Sequence, residues 1–576
     1  MNERVRTTNG SWWRSSLLDR VAKLRQREDQ IILVLALVIG ALTGLAVVAF
    51  ILLTERLGMR LYPVGGAPWR RLLVPVVGSL GIGYLLYRYF PYARGSGVPQ
   101  TKAALFAREG RIRLRTVLGK FFCTSATLAS GIPLGREGPS VQVGAGIASV
   151  LGRLLGLRTE QVKKLIPVGA AAAIAAAFNT PLAAVLFSLE EIVGDLNAPL
   201  MGAVVLASAT AWMVLRVSLG NNPLFKVPQY RLVHPAEFAA YAVLGVAGGV
   251  VSAAFTKLLL LMRARFLRLP VKTLWLQPAA GGLLVGMMGW FVPQVMGVGY
   301  GYVGSALNGN MAFKMMVLLV VLKLIAVTTS YASGNAGGIF GPSLFIGAML
   351  GGAMGTAAHH WFPLYTATPG AYALVGMGAV FAGIVRTPMT SVLMIFEMTQ
   401  DYAVIVPLMI ANLVSLFIAS RLQREPIYEA LARQDGIHLP TAETRRRYGR
   451  RQVRSVMRSV DEMLPAEMTV RAALERVQSS EVRTWLVTDS QGVVGVVNLS
   501  WLERTLAEGA DKKLDELVGT VVFPHVHPDH GLDSALERMG ANQFEILPVV
   551  SRANVHKLEG VVTLSDVLNA YGLNRA

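Results

Sequence analysis

Two copies of one ten-residue pattern contain the residues that could bind an anion. The first copy, GREGPSVQVG, occupies residues 135–144, and the second, GIFGPSLFIG, occupies residues 338–347. Each copy opens an apolar run with glycines and a proline. This is typical of the first turn of a helix, because proline lacks the amide hydrogen that this turn leaves unbonded. The free amides and the positive end of the helix dipole then form an anion site.

A second repeated segment indicates that the sequence consists of two related halves. TPLAAVLFSLE at residues 180–190 matches TPMTSVLMIFE at residues 387–397 in threonine, proline, valine, leucine and glutamate. Helix starts at matching places in two halves are typical of the central binding site of a transporter. In lipid such starts must lie within protein or line a cavity. The residues leave open whether the halves run parallel or inverted.

Four acids lie within the apolar part of the sequence, where an ionisable group is costly and is therefore a functional candidate. They are Glu137, Glu190, Glu191 and Glu397. Glu190 and Glu397 hold equivalent positions in the repeat, which favours capping or structural hydrogen bonding. Glu191 has Met398 as its repeat partner. This acid therefore occurs in one half only, which indicates a specific role.

The composition is that of a polytopic membrane protein with a polar appendage. Of the 576 residues, 53% are hydrophobic and 16% are charged, and several apolar stretches exceed the roughly 20 residues that a spanning helix needs. A soluble enzyme is thereby excluded. We interpret Lys120 and Lys323, which lie in apolar runs, as counter-charges or snorkelling side chains. The single cysteine, Cys123, excludes a disulfide within the chain and any cysteine-cluster metal site.

The net charge of +20 is concentrated in two places, the N-terminal tail and an arginine cluster at residues 445–458. The positive-inside rule predicts that both ends of the chain are cytoplasmic, and contact with anionic lipid accounts for the clusters. We expect no nucleic-acid partner, because no aromatic interleaving or binding motif accompanies the basic residues.

The sequence pattern divides the chain into a membrane body and a soluble lobe. The divisions are the basic tail at 1–30, the membrane body at 31–435, its two repeats at about 31–220 and 221–435, the Arg-rich linker at 436–454, and two copies of an α/β unit at 455–519 and 520–576. Each copy has the order helix, strand, strand, helix. A tandem repeat of this length predicts a small regulatory lobe.

Four short motifs resemble those of a known family. They are GSGVP at 95–99, GREGP at 135–139, GIFGP at 338–342 and the tyrosine of PIY at 426–428. In this order they resemble the ClC family of chloride channels and proton-coupled chloride exchangers, and the C-terminal lobe resembles a pair of CBS domains. The resemblance implies an all-α polytopic membrane fold of two inverted repeats of broken helices, with an α/β CBS pair in the cytoplasm. It also implies a homodimer with one ion pathway per subunit. We expect no enzymatic activity, and we assume a plasma or inner membrane.

The resemblance assigns the binding of chloride to individual residues. Ser96 and Tyr428 would bind a central chloride through their hydroxyls, and the backbone amides of Ile339 and Phe340 would hold it from the start of a helix. Neutral donors and helix ends suit a large, weakly hydrated anion, because a lysine would hold it too tightly for release. Serine at position 96 favours chloride over nitrate.

The resemblance also implies a gate and a path for protons. Amides near Glu137 and Gly138 would form an outer anion site, and Glu137 would occupy that site when ionised and leave it when protonated. Glu191 matches the family's internal proton-transfer glutamate, which favours exchange of chloride for protons. A passive, voltage- or pH-gated chloride channel of the same fold is the alternative. Gly341 is a small variation on the commoner family residue, and we expect no functional consequence from it.

The ligand of the CBS pair stays open between two alternatives. In related pairs threonine and aspartate of one motif contact the phosphate and ribose of a nucleotide, and Gly560, Thr563 and Asp566 keep this motif. The first copy has Asn498 and Trp501 instead, so at most one half-site is intact. Adenine-nucleotide binding and a purely structural dimerisation lobe therefore both fit, and transport itself requires no cofactor.

Two other functional classes have little support. His525, His527 and His530 suggest a metal site, but they lie in a loop and lack a fourth ligand, so we predict solvated loop residues. A membrane-bound enzyme or sensor would need a nucleophile–base pair, a metal-ligand cluster or a phosphate loop, and the sequence supports none of these.

Overall fold

The structure is a computed structural model that describes most of the chain. The described residues are 11–63, 65–196, 200–220, 223–225, 227–228, 230, 232–437, 451–459, 463–477, 484–509, 511–518, 523–542 and 544–570. Side chains are described outside residues 11–29, 507–509 and 541–542. The tail's basic side chains and the arginines at residues 445–450 thus lie outside the description.

The chain forms two compact units. Unit 1 comprises Met1–Thr101 and Ile112–Ala430, and unit 2 comprises Lys102–Arg111 and Leu431–Ala576.

Unit 1 is built from α-helices. In chain order the helices are α1 (Ser11–Leu61), α2 (Pro68–Arg88), α3 (Val98–Ala107), α4 (Leu114–Ala129), α5 (Glu137–Leu154), α6 (Thr159–Phe178), α7 (Pro181–Phe187), α8 (Met201–Leu219), α9 (Glu237–Leu267), α10 (Gln277–Phe291), α11 (Tyr300–Leu307), α12 (Phe313–Ala332), α13 (Phe340–Trp361), α14 (Pro369–Val385), α15 (Pro388–Thr399), α16 (Ile405–Leu422) and α17 (Ile427–Gln434). The ends of α3 and α17 belong to unit 2.

Long apolar helices alternate with short ones. Seven described segments are long and apolar enough to cross a membrane: Gln30–Leu61, Thr159–Phe178, Met201–Leu219, Glu237–Leu267, Phe313–Ala332, Phe340–Trp361 and Tyr402–Gln434. By contrast α3, α7 and α15 have 10, 7 and 12 residues, and a helix of that length cannot reach across a hydrocarbon core of about 30 Å. The prediction of broken helices in a membrane body is therefore confirmed.

The two halves meet at equivalent residues of the repeated motif. The amide of Gly135 donates to the carbonyl of Gly338 at 2.8 Å, and the amide of Gly338 donates to the carbonyl of Gly135 at 2.7 Å. These reciprocal bonds form an antiparallel bridge. Because each residue makes the same contact as its equivalent, a local two-fold axis passes through the pair. The helices α5 and α13 begin two residues beyond this axis, which brings their N-termini together.

A pair of glycines lets two consecutive helices cross in contact within each half. At the crossing of α5 and α6, a Cβ on Gly144 would lie 2.3 Å from the carbonyl oxygen of Gly169, and one on Gly169 would lie 2.2 Å from that of Gly144. Gly347 and Gly376 make the matching crossing of α13 and α14, with both distances 2.3 Å. Small residues permit such close backbone approach between membrane helices. Each motif helix is thereby held against the helix that follows it.

Two of the four acids cap helices of the opposite half. Glu397 on α15 accepts hydrogen bonds from the amides of Leu182 and Ala183 at 3.0 and 2.7 Å, at the start of α7. Glu190, just beyond the end of α7, accepts from the amide and hydroxyl of Thr390 at 2.9 and 2.7 Å, at the start of α15. A carboxylate at a helix N-terminus satisfies free amides and interacts favourably with the dipole. The structural role predicted for these two acids is confirmed.

Unit 2 contains two copies of a strand–helix arrangement. Its elements are β1 (Met463–Pro465), α18 (Val470–Val477), β2 (Thr484–Asp489), β3 (Gly492–Asn498), α19 (Leu499–Gly509), α20 (Leu514–Val518), α21 (Leu532–Asn542), β4 (Ile546–Val550), β5 (Leu558–Thr563) and α22 (Leu564–Ala570). Strand β1 pairs parallel with β2, while β2–β3 and β4–β5 are antiparallel pairs. The predicted order helix, strand, strand, helix is confirmed in both copies.

The two copies share a buried apolar cluster. Leu486 and Val493 from the first copy and Val550 and Val561 from the second belong to it. Each copy also has a core of its own. The copies therefore pack as one lobe.

Candidate anion site

The starts of three helices converge where the repeats meet. Glu137 begins α5, Phe340 begins α13, and both residues are buried. The loop before α3 lies against the start of α5 so closely that a Cβ on Gly138 would be 2.5 Å from the carbonyl oxygen of Ser96. The first-turn amides of a helix have no partner within that helix. Helix starts that meet inside the protein therefore form an anion-binding environment.

Two hydroxyls in this region lack a partner. Ser96 and Tyr428 are 0% and 1% exposed, and among the described residues neither Ser96 Oγ nor Tyr428 Oη has a hydrogen-bond partner. The ring of Tyr428 packs edge-on to Phe340, with ring centroids 6.0 Å apart. Leaving a buried hydroxyl unsatisfied costs about 1–3 kcal/mol. The donors predicted for chloride are thus placed where an anion would satisfy them.

The carboxylate of Glu137 already lies on the start of the opposite helix. Glu137 Oε2 accepts a hydrogen bond from the amide of Gly341 at 3.3 Å, and Glu137 Oε1 accepts from Tyr300 Oη at 2.5 Å. The side chain is fully buried. An anionic group therefore occupies a position at the N-terminus of α13 that suits a bound anion.

Tyr300 was missed by the sequence analysis, although a repeat signal points to its loop. Residues 95–99 read GSGVP and residues 297–301 read GVGYG, and the two segments have glycines at matching positions. Both segments end in the start of a helix, α3 or α11, and all four matching glycines have positive φ. Aligning the halves over this segment would have made Tyr300 a candidate.

The two buried lysines hold these two loops. Lys120 Nζ donates to the carbonyls of Ala93 and Gly95 at 2.9 and 2.6 Å. Lys323 Nζ donates to the carbonyls of Val295 and Gly297 at 3.0 and 2.6 Å. Both side chains are 0% exposed, so the snorkelling interpretation is wrong. The ammonium groups instead donate to carbonyls of the two loops. These hydrogen bonds hold the loops in place just before α3 and α11 begin.

Glu191 lies on an unusual turn near the same tyrosine. It belongs to a π-helical turn, Ser188–Val193, at the end of α7, and its side chain is buried. Such turns occur frequently at functional sites. Glu191 and Glu137 both lie within electrostatic range of the hydroxyl of Tyr428. The acid that occurs in one half only therefore shares an electrostatic environment with the candidate site.

Comparison with known proteins identifies the family. A family model described as voltage gated chloride channel matches residues 78–420. The chain belongs to the voltage gated chloride channel family. A CBS domain model also matches residues 518–572, which confirms the predicted fold class, a helical ClC membrane body followed by a CBS lobe.

Several members of this family are similar to the chain over most of their length. The H(+)/Cl(−) exchange transporter ClcA of Vibrio campbellii is 34% identical over 354 residues, 60% of this chain and 76% of the relative. The transporter of the same name from Salmonella paratyphi B is 33% identical over 438 residues, 72% of this chain and 93% of the relative.

Solved ClC structures resemble the chain as well. A slow cyanobacterial Cl−/H+ antiporter has a TM-score of 0.65 and 29% identity, covering 70% of this chain and 97% of that one. A eukaryotic CLC transporter has a TM-score of 0.65 and 20% identity, covering 93% of this chain and 97% of that one. The second likeness concerns the fold alone.

The nucleotide residues expected in the CBS lobe of this ClC protein are brought together. The amide and hydroxyl of Thr563 donate to Asp566 Oδ2 at 3.1 and 2.5 Å, and the amide of Asp566 donates back to Thr563 Oγ1 at 3.1 Å. Arg458 Nε lies 3.3 Å from Asp566 Oδ2. A Cβ on Gly560 would lie 2.8 Å from the carbonyl oxygen of Arg458. The motif therefore caps α22 and packs against the segment that contains Arg458.

The histidines of the CBS lobe lie in a loop, as predicted from the sequence, but they are less solvated than expected. His525, His527 and His530 are half-buried, and consecutive rings lie 5.2 and 4.8 Å apart. His527 Nδ1 bonds to the carbonyl of Val550 at 2.8 Å. Burial lowers the pKa of His525 and His530. No group of three or more His, Cys, Asp or Glu in the described part of the chain is placed to hold a metal ion.

Proposed function

We propose that this protein exchanges chloride for protons across a membrane. The observation that carries the proposal is the position of the Glu137 carboxylate at the start of α13. There the carboxylate accepts a hydrogen bond from the amide of Gly341. A carboxylate that competes with an anion for one binding position links proton uptake to anion movement, because protonation removes the competing charge. The relatives named as H(+)/Cl(−) exchange transporters support this function.

Chloride binding follows from the donors at the helix starts. We assign the central chloride to the hydroxyls of Ser96 and Tyr428 and to the amides of Ile339 and Phe340. The outer chloride would lie on the amides near Glu137 and Gly138, next to the position at the start of α13 that the carboxylate occupies. These donors are neutral, so they bind a desolvated anion firmly enough to admit it and weakly enough to release it.

The gate depends on the protonation of one carboxylate, that of Glu137. Ionised Glu137 accepts hydrogen bonds from the amide and hydroxyl at its seat, and it blocks chloride there. A proton on the carboxylate cancels the charge that these donors and the helix dipole favour. The neutral side chain then leaves and chloride enters. We assign Glu191 the transfer of protons to Glu137 from the inner side.

Transport by reconstituted protein tests the proposal. Purified full-length protein in liposomes is expected to move protons uphill when a chloride gradient is imposed, measured as a pH change with an electrode or a trapped dye. Chloride flux without any proton movement would contradict exchange and favour a passive chloride channel of the same fold. Liposomes without protein and liposomes in a permeant-anion-free buffer give the baselines.

The assembly proposed for the chain is a homodimer in a plasma or inner membrane, with both termini cytoplasmic. Large apolar side chains on α8 and α16, among them Met213, Val217 and Phe417, are 59%, 88% and 58% exposed. Such surfaces are costly in water, and lipid or a second copy would cover them. The basic tail supports the orientation through the positive-inside rule.

We also propose that the second CBS copy binds an adenine nucleotide through Gly560, Thr563 and Asp566. Arg458 beside Asp566 supplies positive charge for a phosphate. Calorimetry on the full-length protein is expected to give heat with ATP, ADP or AMP, and Asp566→Asn is expected to weaken binding about tenfold, because a hydrogen bond to a charged group is lost. Asp511→Asn, on an exposed carboxylate of the first copy, is the control. No heat with any of the three would leave the lobe a structural one.

A further inference from the structure

The carboxylate of the gate contacts a tyrosine side chain as well as a backbone amide. Tyr300 Oη donates to Glu137 Oε1 at 2.5 Å, whereas the amide of Gly341 lies 3.3 Å from Glu137 Oε2. Hydrogen bonds to an ionised carboxylate are stronger than those between neutral groups, and this applies to both contacts. Among the described residues these two are the donors to the carboxylate, so Tyr300 supplies one of its two hydrogen bonds.

The position of the Tyr300 hydroxyl is determined from several sides. Tyr300 begins α11 directly after Gly299, which has a φ of +86°, and the preceding carbonyls are held by Lys323. The ring packs edge-on to Phe225 at 5.8 Å between centroids. The guanidinium carbon of Arg136 lies 5.8 Å from the centre of the same ring. A hydroxyl held in this way is preorganised and does not follow the carboxylate when it moves.

Gly341 leaves the space that this hydroxyl occupies. A Cβ at position 341 would lie 3.0 Å from Tyr300 Oη and 2.8 Å from Val298 Cγ1, and 3.3 Å from Glu137 Oε2. The hydroxyl and the valine would therefore have to shift before the carboxylate did. Glycine and tyrosine at these two positions therefore fit each other closely, which makes Gly341 a candidate for a functional role that the sequence did not indicate.

We propose that Tyr300 is a positioning residue that holds the gate carboxylate at the start of α13, and that Gly341 keeps that contact open. The inference rests on the proposed role of Glu137 as the gate. The hydrogen bond stabilises the ionised, seated carboxylate against both protonation and displacement by chloride. Tyr300 thereby sets the pH at which the gate opens.

The other charged or titratable groups around the carboxylate interact mainly with other partners. Arg136 pairs with Glu55 at 3.5 Å, and Lys323 is bonded to loop carbonyls. Tyr428 is within electrostatic range of Glu137 without a described bond to it. These groups are unchanged in a variant that removes only the hydroxyl of Tyr300, so its effect can be measured separately.

Chloride flux as a function of external pH tests the inference. In Tyr300→Phe the half-maximal pH is expected to move upward by about one unit, a tenfold change in proton concentration, because one hydrogen bond to the ionised gate is lost. Flux at neutral pH rises with it. Gly341→Ala is expected to shift the profile in the same direction. In the double variant the alanine adds no further shift, since the hydroxyl that it displaces is already absent.

Tyr302→Phe is the matched control, because it removes a more exposed hydroxyl from the same helix and is expected to leave the profile unchanged. A wild-type profile in Tyr300→Phe overturns the inference, provided that Glu137→Ala abolishes the pH dependence. If Glu137→Ala itself keeps the wild-type profile, the gate and hence the proposed function fail instead. An additional shift from Gly341→Ala in the Tyr300→Phe background would refute the role of Gly341 alone.

Discussion

Glu137→Ala is expected to abolish proton coupling completely while chloride still crosses the membrane. The carboxylate is the group that competes with the anion at the start of α13, and its removal leaves the seat open at every pH. Chloride then occupies the outer site without a proton being taken up. In liposomes the variant should dissipate a chloride gradient, move no protons uphill, and show a flat pH profile of flux.

Glu397→Gln provides a control for this variant. Glu397 is also a carboxylate bonded to amides at the start of a helix of the other half, but it caps α7 outside the converging helix starts. The variant is expected to lose some stability, about 1–3 kcal/mol for the weakened cap, and to keep its coupling. A Glu137→Ala protein that still pumped protons with the wild-type ratio would remove the basis of the mechanism.

Glu191→Gln is expected to retain chloride flux and the pH-dependent gate while losing uphill proton movement. The amide keeps the size and hydrogen-bonding capacity of the side chain on its π-helical turn, but it cannot take up and release a proton. Protons then reach Glu137 from the outer side only, so a chloride gradient does no work on them. Simultaneous recordings of chloride and proton flux would separate this phenotype from that of Glu137→Ala.

The neighbouring acid, Glu190, provides a matched control for Glu191→Gln. Glu190→Gln is the same chemical change one residue earlier, at a side chain whose oxygen is bonded to Thr390. Proton coupling should survive in this variant, because the role of Glu190 is to cap α15. Equal loss of coupling in both variants would mean that distortion of the turn, rather than loss of a proton carrier, explains the result.

The amino-acid sequence by itself determined the membrane body, the two halves, the helix starts and the asymmetric acid. Hydropathy and the doubled GxxGPS and TP…E patterns are local, and each position is dictated by what a helix start or a lipid environment tolerates. For the same reason Glu190 and Glu397 could be recognised as structural, since equivalent acids in both halves indicate a shared packing role. The α/β lobe could be predicted from the sequence because its strands and helices follow one another at short range along the chain.

Only the tertiary structure decided which residues meet. The bond between Tyr300 and Glu137 spans 163 positions of the chain, and no local pattern encodes it. The two lysines were misjudged from the sequence, because their partners are carbonyls of loops that lie 25 to 28 residues away in the chain and that only folding brings to the ammonium groups. The half-buried histidines and the fit of Gly341 to Tyr300 were hidden for the same physical reason. Hydrogen-bond demand and steric room at a buried site are set by neighbours from other helices, and folding brings those neighbours into place.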